Sequence, residues 1–388
     1  MGGETWEGSL FGPNEGSADA FLARYDGDGN QIWGRQFGTS GGDDIAAIDV
    51  DADGAAYVTG YSSRQIGPTG DYWGLYLSKF DSVGDQVFVR QHTTPLCDMG
   101  AGVVYSGPEN VFVAGHRGSG LVASDAVLTR FNLTNESADW TTQWGSTATD
   151  KAKAIAAGDT GDLYVAGATL GSMAATGSAG SWDAFLSKLD ANGNLQWTRQ
   201  LGSNASDAAN AVGVDPTANI YIAGLTGGPL PNNSHAGGLD AFLAKYDAYG
   251  GLLWTRQFGT DGWDLCNALS IDSSGDIYVT GETNGLLGDT SFGYHDGFVA
   301  KFQADGNMMW LQQFGTAEID RSWDIATDLL GNVYVAGDTR GAFGAENAGH
   351  LDGFLAKLSI VPEPSTIALL GTAVLGLLAY AWRRRKRR

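Results

Sequence analysis

Cysteine and proline are scarce in this 388-residue chain, and the scarcity excludes several classes of protein. Its two cysteines, Cys97 and Cys266, stand far apart, with no CxxC and no Cys/His cluster around them. A disulfide framework and a structural zinc site are therefore unsupported. Proline numbers 9 against 58 glycines, which fits neither collagen nor a proline-rich disordered tract. Basic residues are also few: 23 Lys and Arg face 44 Asp and Glu, for a formal charge of −21. The last six residues are all basic, so the body before them holds 17 basic residues. A body that acidic repels phosphate backbones, which argues against nucleic acid as a partner.

Catalytic signatures are missing as well. The five histidines, at 92, 116, 235, 295 and 350, share no register and form no HExxH or HxH. There is no GxSxG, and glycine runs such as Gly100–Gly102 lack the strand and helix that a dinucleotide site requires. Carboxylates are plentiful, but no pair stands out for glycoside cleavage.

What the chain does have is a repeat. The segment Asp240-Ala-Phe-Leu-Ala-Lys-Tyr-Asp247 recurs at 19–26, 183–190, 296–302 and 352–358, with weaker copies at 74–80 and 125–131. Its basic residue falls at Arg24, Lys79, Arg130, Lys188, Lys245, Lys301 and Lys357, in steps of 51 to 58 residues. A second segment, Trp254-Thr-Arg-Gln-Phe-Gly259, follows nine or ten residues later and matches Trp33–Gly38, Trp197–Gly202 and Trp310–Gly315. A third, Ile277-Tyr-Val-Thr-Gly281, recurs with its glycine at 60, 115, 167, 224 and 337. Small apolar runs such as Ala209–Val214 lie between the second and third.

Each segment is short, rich in β-branched and aromatic residues, and bounded by Gly, Asn and Asp, which is the pattern of a strand. Two links per unit share one turn grammar, as in Asp190-Ala-Asn-Gly-Asn194: Asp opens the turn and Gly supplies a positive φ near its end. Two hairpins per unit make four strands. The expected fold is all-β, a β-propeller of six to seven four-stranded blades over 19–358.

The strand order resembles the NHL-type blade, which puts the small-residue strand beside the central channel and the Trp strand outermost. The units resemble the SBBP family of bacterial β-propeller repeats, carried by the D-A-F-L-A-K-Y-D, W-T-R-Q-F-G and Y-V-T-G segments; the family name implies seven blades. Residues 1–18 read as the loop of a partial blade. We expect the natural start to lie upstream and to hold a signal peptide, one Trp strand and two inner strands.

Beyond a linker at 359–365, Thr366 to Trp382 is uncharged and is expected to form one transmembrane helix of about 25 Å. The basic tail Arg383, Arg384, Arg385, Lys386, Arg387 and Arg388 stays cytoplasmic by the positive-inside rule, which leaves the β body outside. Val361, Pro362, Glu363, Pro364 and Ser365 stand just before the span. Pro-Glu-Pro, an apolar span and an Arg-rich end, in that order, resemble the PEP-CTERM sorting signal of Gram-negative bacteria. The resemblance implies recognition by an exosortase-type enzyme in the inner membrane, cleavage near Pro-Glu-Pro, and delivery to the cell surface or matrix.

Two constellations could carry function. One Asp precedes each Y-V-T-G glycine by 17 residues: Asp43, Asp98, Asp150, Asp207, Asp264 and Asp320. These are expected to bond loop amides; the alternative is a carboxylate ring at the channel mouth holding a cation such as Ca2+, with no other cofactor implied. Trp73, Trp182, Trp263 and Trp323 fall in loops assigned to one face, where aromatic rings offer platforms for sugars. The expected role is a non-catalytic surface scaffold for exopolysaccharide or a surface protein. The alternatives are a polysaccharide hydrolase or lyase using the acidic channel mouth, and a structural matrix component.

Overall fold

The structure, a computed structural model, describes residues 1–358 apart from 7, 67–73, 93–97, 119–122, 175–176 and 344–348. Residues 361–388, with the sorting motif, the apolar span and the basic tail, lie outside the described residues, as do Trp73 and Cys97.

The repeat grammar folds as its turns dictate. In the hairpin after Leu189, the Asp190 amide donates to the Asn194 carbonyl at 3.0 Å, and Asp190 Oδ1 accepts the amides of Asn192 and Asn194 at 2.9 Å. Gly193 sits at φ 80°, where a Cβ is strained. The same turn recurs after Asp26, Asp247, Asp272 and Asp328. Asp49-Val-Asp51-Ala-Asp53-Gly54 is one of these turns too, with Asp51 Oδ1 accepting the amides of Asp53 and Ala55.

Seven antiparallel sheets result, so the molecule is a seven-bladed propeller. Blade five shows the plan: Asp207–Val214, Ile220–Thr226, Asp240–Tyr246 and Leu252–Phe258, each strand paired with the next. The first strands of successive blades pack side by side, so they are innermost, and the Trp strands are outermost, as the resemblance to the NHL-type blade implies.

Among the described residues, five of the seven sheets have four strands. The first has three, Gly2–Trp6, Ala18–Tyr25 and Gln31–Phe37, and the last has three, Asp320–Thr327, Val333–Thr339 and Asp352–Leu358. The opening segment, expected to be loop, thus contains a strand: Gly2–Trp6 holds the register of a second strand against Ala18–Leu22.

The core lies between neighbouring sheets. Tyr221 and Leu243 of blade five pack against Val279 and Phe298 of blade six, all fully buried. Each such side chain contributes roughly 1.5–3 kcal/mol.

Blade-to-blade contacts also repeat. Lys245 Nζ donates to the Ala304 carbonyl in the next blade's outer turn at 2.9 Å, and Arg24 Nη1 does the same to Ser82 at 2.7 Å. Lys357 of blade seven donates to Gly27 of blade one at 3.0 Å, so the same bond closes the ring.

Candidate functional site

Two faces follow from the topology. The tight turns lie on one. The longer connections lie on the other: from outer strand to next inner strand, and from second to third strand. This loop face holds the residues singled out in the sequence.

The recurrent aspartates are placed alike. Asp43, Asp98, Asp150, Asp207, Asp264 and Asp320 are fully buried at the start of, or just before, each inner strand. Asp264 Oδ2 accepts the Thr260 amide and hydroxyl, and its Oδ1 accepts the Thr283 hydroxyl. The same set forms around Asp150 and Asp320. At Asp98 an arginine takes over: Arg117 grips both oxygens, at 2.6 and 2.8 Å. Burial raises the carboxyls of Asp150, Asp207 and Asp264 above their ordinary range despite these bonds. The carboxylates thus face their own blade junctions. Among the described residues no group of three or more His, Cys, Asp or Glu is arranged to hold a metal ion.

A second aspartate, visible in the sequence only as part of a strand motif, stands opposite. Asp240 Oδ2 accepts Gln257 Nε2 at 2.8 Å and the Ala236 amide at 2.9 Å. Asp19, Asp183 and Asp296 repeat this with Gln36, Gln200 and Gln313. The final glycine of each W-x-x-Q-F-G segment sits between the two aspartates. A Cβ on Gly259 would lie 2.6 Å from Asp240 Oδ1 and 3.0 Å from Asp264 Oδ2. The segment is therefore a joint. Its Gln ties the outer strand to the loop face, its Gly admits two carboxylates, and its Arg latches the next blade. Arg256 donates to the carbonyls of Gly306 at 2.8 Å and Asp305 at 3.0 Å.

The tryptophans divide. Trp263 lies in the loop entering blade six and is 55% exposed, with its amide held by Asn284 Oδ1. Exposed Leu286, Phe292 and Tyr294 belong to the next connection of the same blade. Trp182 is half-buried, with Lys151 Nζ 5.9 Å from its ring. Trp323 is not in a loop. It is the bulge residue of the strand Asp320–Thr327, where the register shifts between Ser322 and Asp324. Its Nε1 donates to Asp338, and Arg321 stands 6.0 Å from its ring.

Bulges at the same place in blades three to six set Ala101, Lys153, Asn210 and Asn267 on the inner strands. Lys153 Nζ donates to Asn210 Oδ1, Asn210 to the Cys266 carbonyl, and Asn267 to the Ser322 carbonyl, at 2.8 to 2.9 Å. One inner strand is thereby stitched to the next. No sequence signal marks this stitching, because the bulge shows only in the register.

Charge on this face is uneven. Asp44, its Oδ1 bonded to the Tyr61 amide, is pushed up to about 6 by burial, helped by the negative charges of Glu4 and Asp43. Glu282 meets His295 at 3.1 Å and Arg321 at 3.4 Å. Across the ring, burial beside Lys151 and Lys153 lowers the His116 imidazole to about 4.

Comparison with known proteins agrees with the repeat. The SBBP family, described as a β-propeller repeat, matches residues 196–231, 253–288 and 310–344. The PEP-CTERM protein-sorting motif matches 361–386. The regulatory protein FlaEY of Caulobacter vibrioides is 31% identical over 165 residues, 38% of this chain and 17% of that protein. An uncharacterized WD repeat-containing protein of Acanthamoeba polyphaga mimivirus is 22% identical over 149 residues, 32% of this chain and 10% of that one. The chain therefore spans under a fifth of the length of these relatives. Among solved structures, the Dos1 propeller covers 82% of this chain, and 72% of its own is covered, at 10% identity and a TM-score of 0.48, too distant to bear on function. The sorting motif implies processing by an exosortase-type enzyme and export through membrane-anchored sorting. The chain is a seven-bladed β-propeller in which three repeats match the SBBP family and the C-terminal segment matches the PEP-CTERM sorting motif.

Proposed function

We propose that the propeller is a non-catalytic scaffold that binds polysaccharide on its loop face, and that it acts at the cell surface or in the matrix after export. The observation that carries this is the half-exposed Trp263, beside a connection bearing exposed Phe292 and Tyr294 on the same blade. Flat rings flanked by amide and carboxylate acceptors suit sugar rings, whose C–H faces stack while their hydroxyls donate. The transmembrane helix at 366–382 belongs to this reading as the anchor of the precursor.

The test is a glycan array probed with the purified protein and with Trp263→Ala, with calcium and with chelator. We expect binding that the substitution weakens at least about tenfold, in line with the loss of one stacked ring. A clean negative from folded protein overturns the reading.

A second reading rests on Asp44. A carboxyl raised to about 6 beside Glu4 has the protonation state of a general acid at mildly acidic pH. Release of reducing ends from the array's best ligand would move the assignment from binding to hydrolysis.

A further inference from the structure

The turn face carries apolar side chains that its turns do not need. In blade seven the hairpin Asp328-Leu-Leu-Gly-Asn332 puts Leu329 and Leu330 at its tip, 93% and 82% exposed. They are among the most exposed large apolar residues in the structure. Sibling turns hold Ala191-Asn192 and Ser273-Ser274 at these positions. The turn gains nothing from leucine: Asp328 accepts the amides of Leu330 and Asn332, and Gly331 takes the positive φ. The Asp328 carboxylate is folded back on its own turn, so the tip presents two bare leucines. On the same face, exposed Ile32, Leu195, Leu252 and Met308 begin outer strands of four blades.

The chain leaves the propeller at this face and from this blade. Third strands run from the loop face to the turn face, and Asp352–Leu358 is the third strand of blade seven. Seven residues, 359–365, separate Leu358 from the uncharged stretch that starts at Thr366. Fully extended, they reach at most about 25 Å.

We infer that the turn face is a membrane-contact surface. While the tail is in the bilayer, Leu329 and Leu330 lead an apolar rim into the headgroup region, with the loop face turned to the opposite side. The inference rests on the anchoring part of the proposed function. Exposed apolar residues grouped on one face mark interaction sites, and a tether of at most about 25 Å keeps this face, not the opposite one, within reach of lipid. The occupant is the lipid surface itself, because the tether delivers no other partner. Cleavage near Pro-Glu-Pro would release the face.

The test uses the full chain reconstituted into vesicles of phosphatidylethanolamine and phosphatidylglycerol, compared with Leu329→Ser/Leu330→Ser. Both positions are solvent-exposed turn tips, so the variant keeps the fold. Flotation reports anchoring, and amide hydrogen exchange reports contact. We expect both proteins to float. We expect the unmutated turns at 26–33 and 190–196 to exchange on the order of tenfold faster in the variant than in the parent, with the loops at 260–263 and 284–295 unchanged. Flotation with equal exchange in the two proteins overturns membrane contact and leaves anchoring intact. Failure to float overturns the anchoring and the inference with it.

Discussion

At the scale of single residues, the repeat is a set of fitted contacts around buried charge. Gly259 is one case, because a Cβ there would crowd two carboxylate oxygens at once. Gly259→Ala should therefore cost roughly 1–3 kcal/mol, the range for forcing an extra carbon into a filled site, read as a lower thermal midpoint. An unchanged midpoint would mean that the two aspartates can separate freely. Gly275, at φ 85° with no atom within 4 Å of where a methyl group would stand, makes the useful contrast: there a substitution is limited by backbone conformation alone.

At the scale of elements, strands and turns were legible because the same short β-branched and aromatic segments and one turn grammar repeat along the chain. Asp, Gly and the β-branched runs mark most hairpins; the turn at 215–219 sets Ala218 at the positive φ in place of Gly, and the one at 303–307 opens with Gln303. Two things were not legible. Trp323 reads as a loop residue because polar neighbours flank it, yet backbone pairing carries it into a strand through a bulge. The partner of each recurrent aspartate, Thr283 for Asp264, lies 19 residues on and meets it only after the sheet forms. Of the ring residues singled out in the sequence, Trp263 and Trp323 are exposed and Trp182 is half-buried, since whether a ring packs depends on contacts across blades. The latch between blades is testable at this scale. Arg256→Ala removes two bonds to the next turn, at Gly306 and Asp305. It should cost about 1 kcal/mol, as for partly exposed hydrogen bonds, and should speed amide exchange in residues 303–307 more than elsewhere. Uniform exchange would show that the blades open together.

At the scale of the whole molecule, buried carboxyls set the response to acid. Asp44, Asp150, Asp207 and Asp264 are all raised, mainly by burial, so the folded state holds their protons more tightly than the unfolded chain does. Each therefore works against folding at neutral pH and is relieved as pH falls through its raised pKa. The turn aspartates Asp26, Asp190, Asp215, Asp272 and Asp328 are lowered, so their stabilisation is present above the unfolded value and is lost at lower pH. His116, lowered to about 4, acts the other way and loses stability as pH falls below the free imidazole value. Asp44→Asn isolates the carboxyl: it should raise the thermal midpoint at pH 7.5, by an amount that shrinks as pH falls through about 6. Below about pH 4 the midpoint of both proteins should fall. A variant with the parent's midpoint at every pH would contradict the sign of the Asp44 shift.

The position of Asp352–Leu358 also has a mechanical meaning. This strand joins the propeller to its tail and has one neighbouring strand among the described residues, Val333–Thr339. A pull on the tail acts along the strand, not across it. All seven residue pairs, from Asp352 with Thr339 to Leu358 with Val333, then share the load in shear instead of opening one by one. In the proposed reading, drag on a ligand held at the far face would reach the anchor through that ladder, with the Lys357 bond to Gly27 beside it.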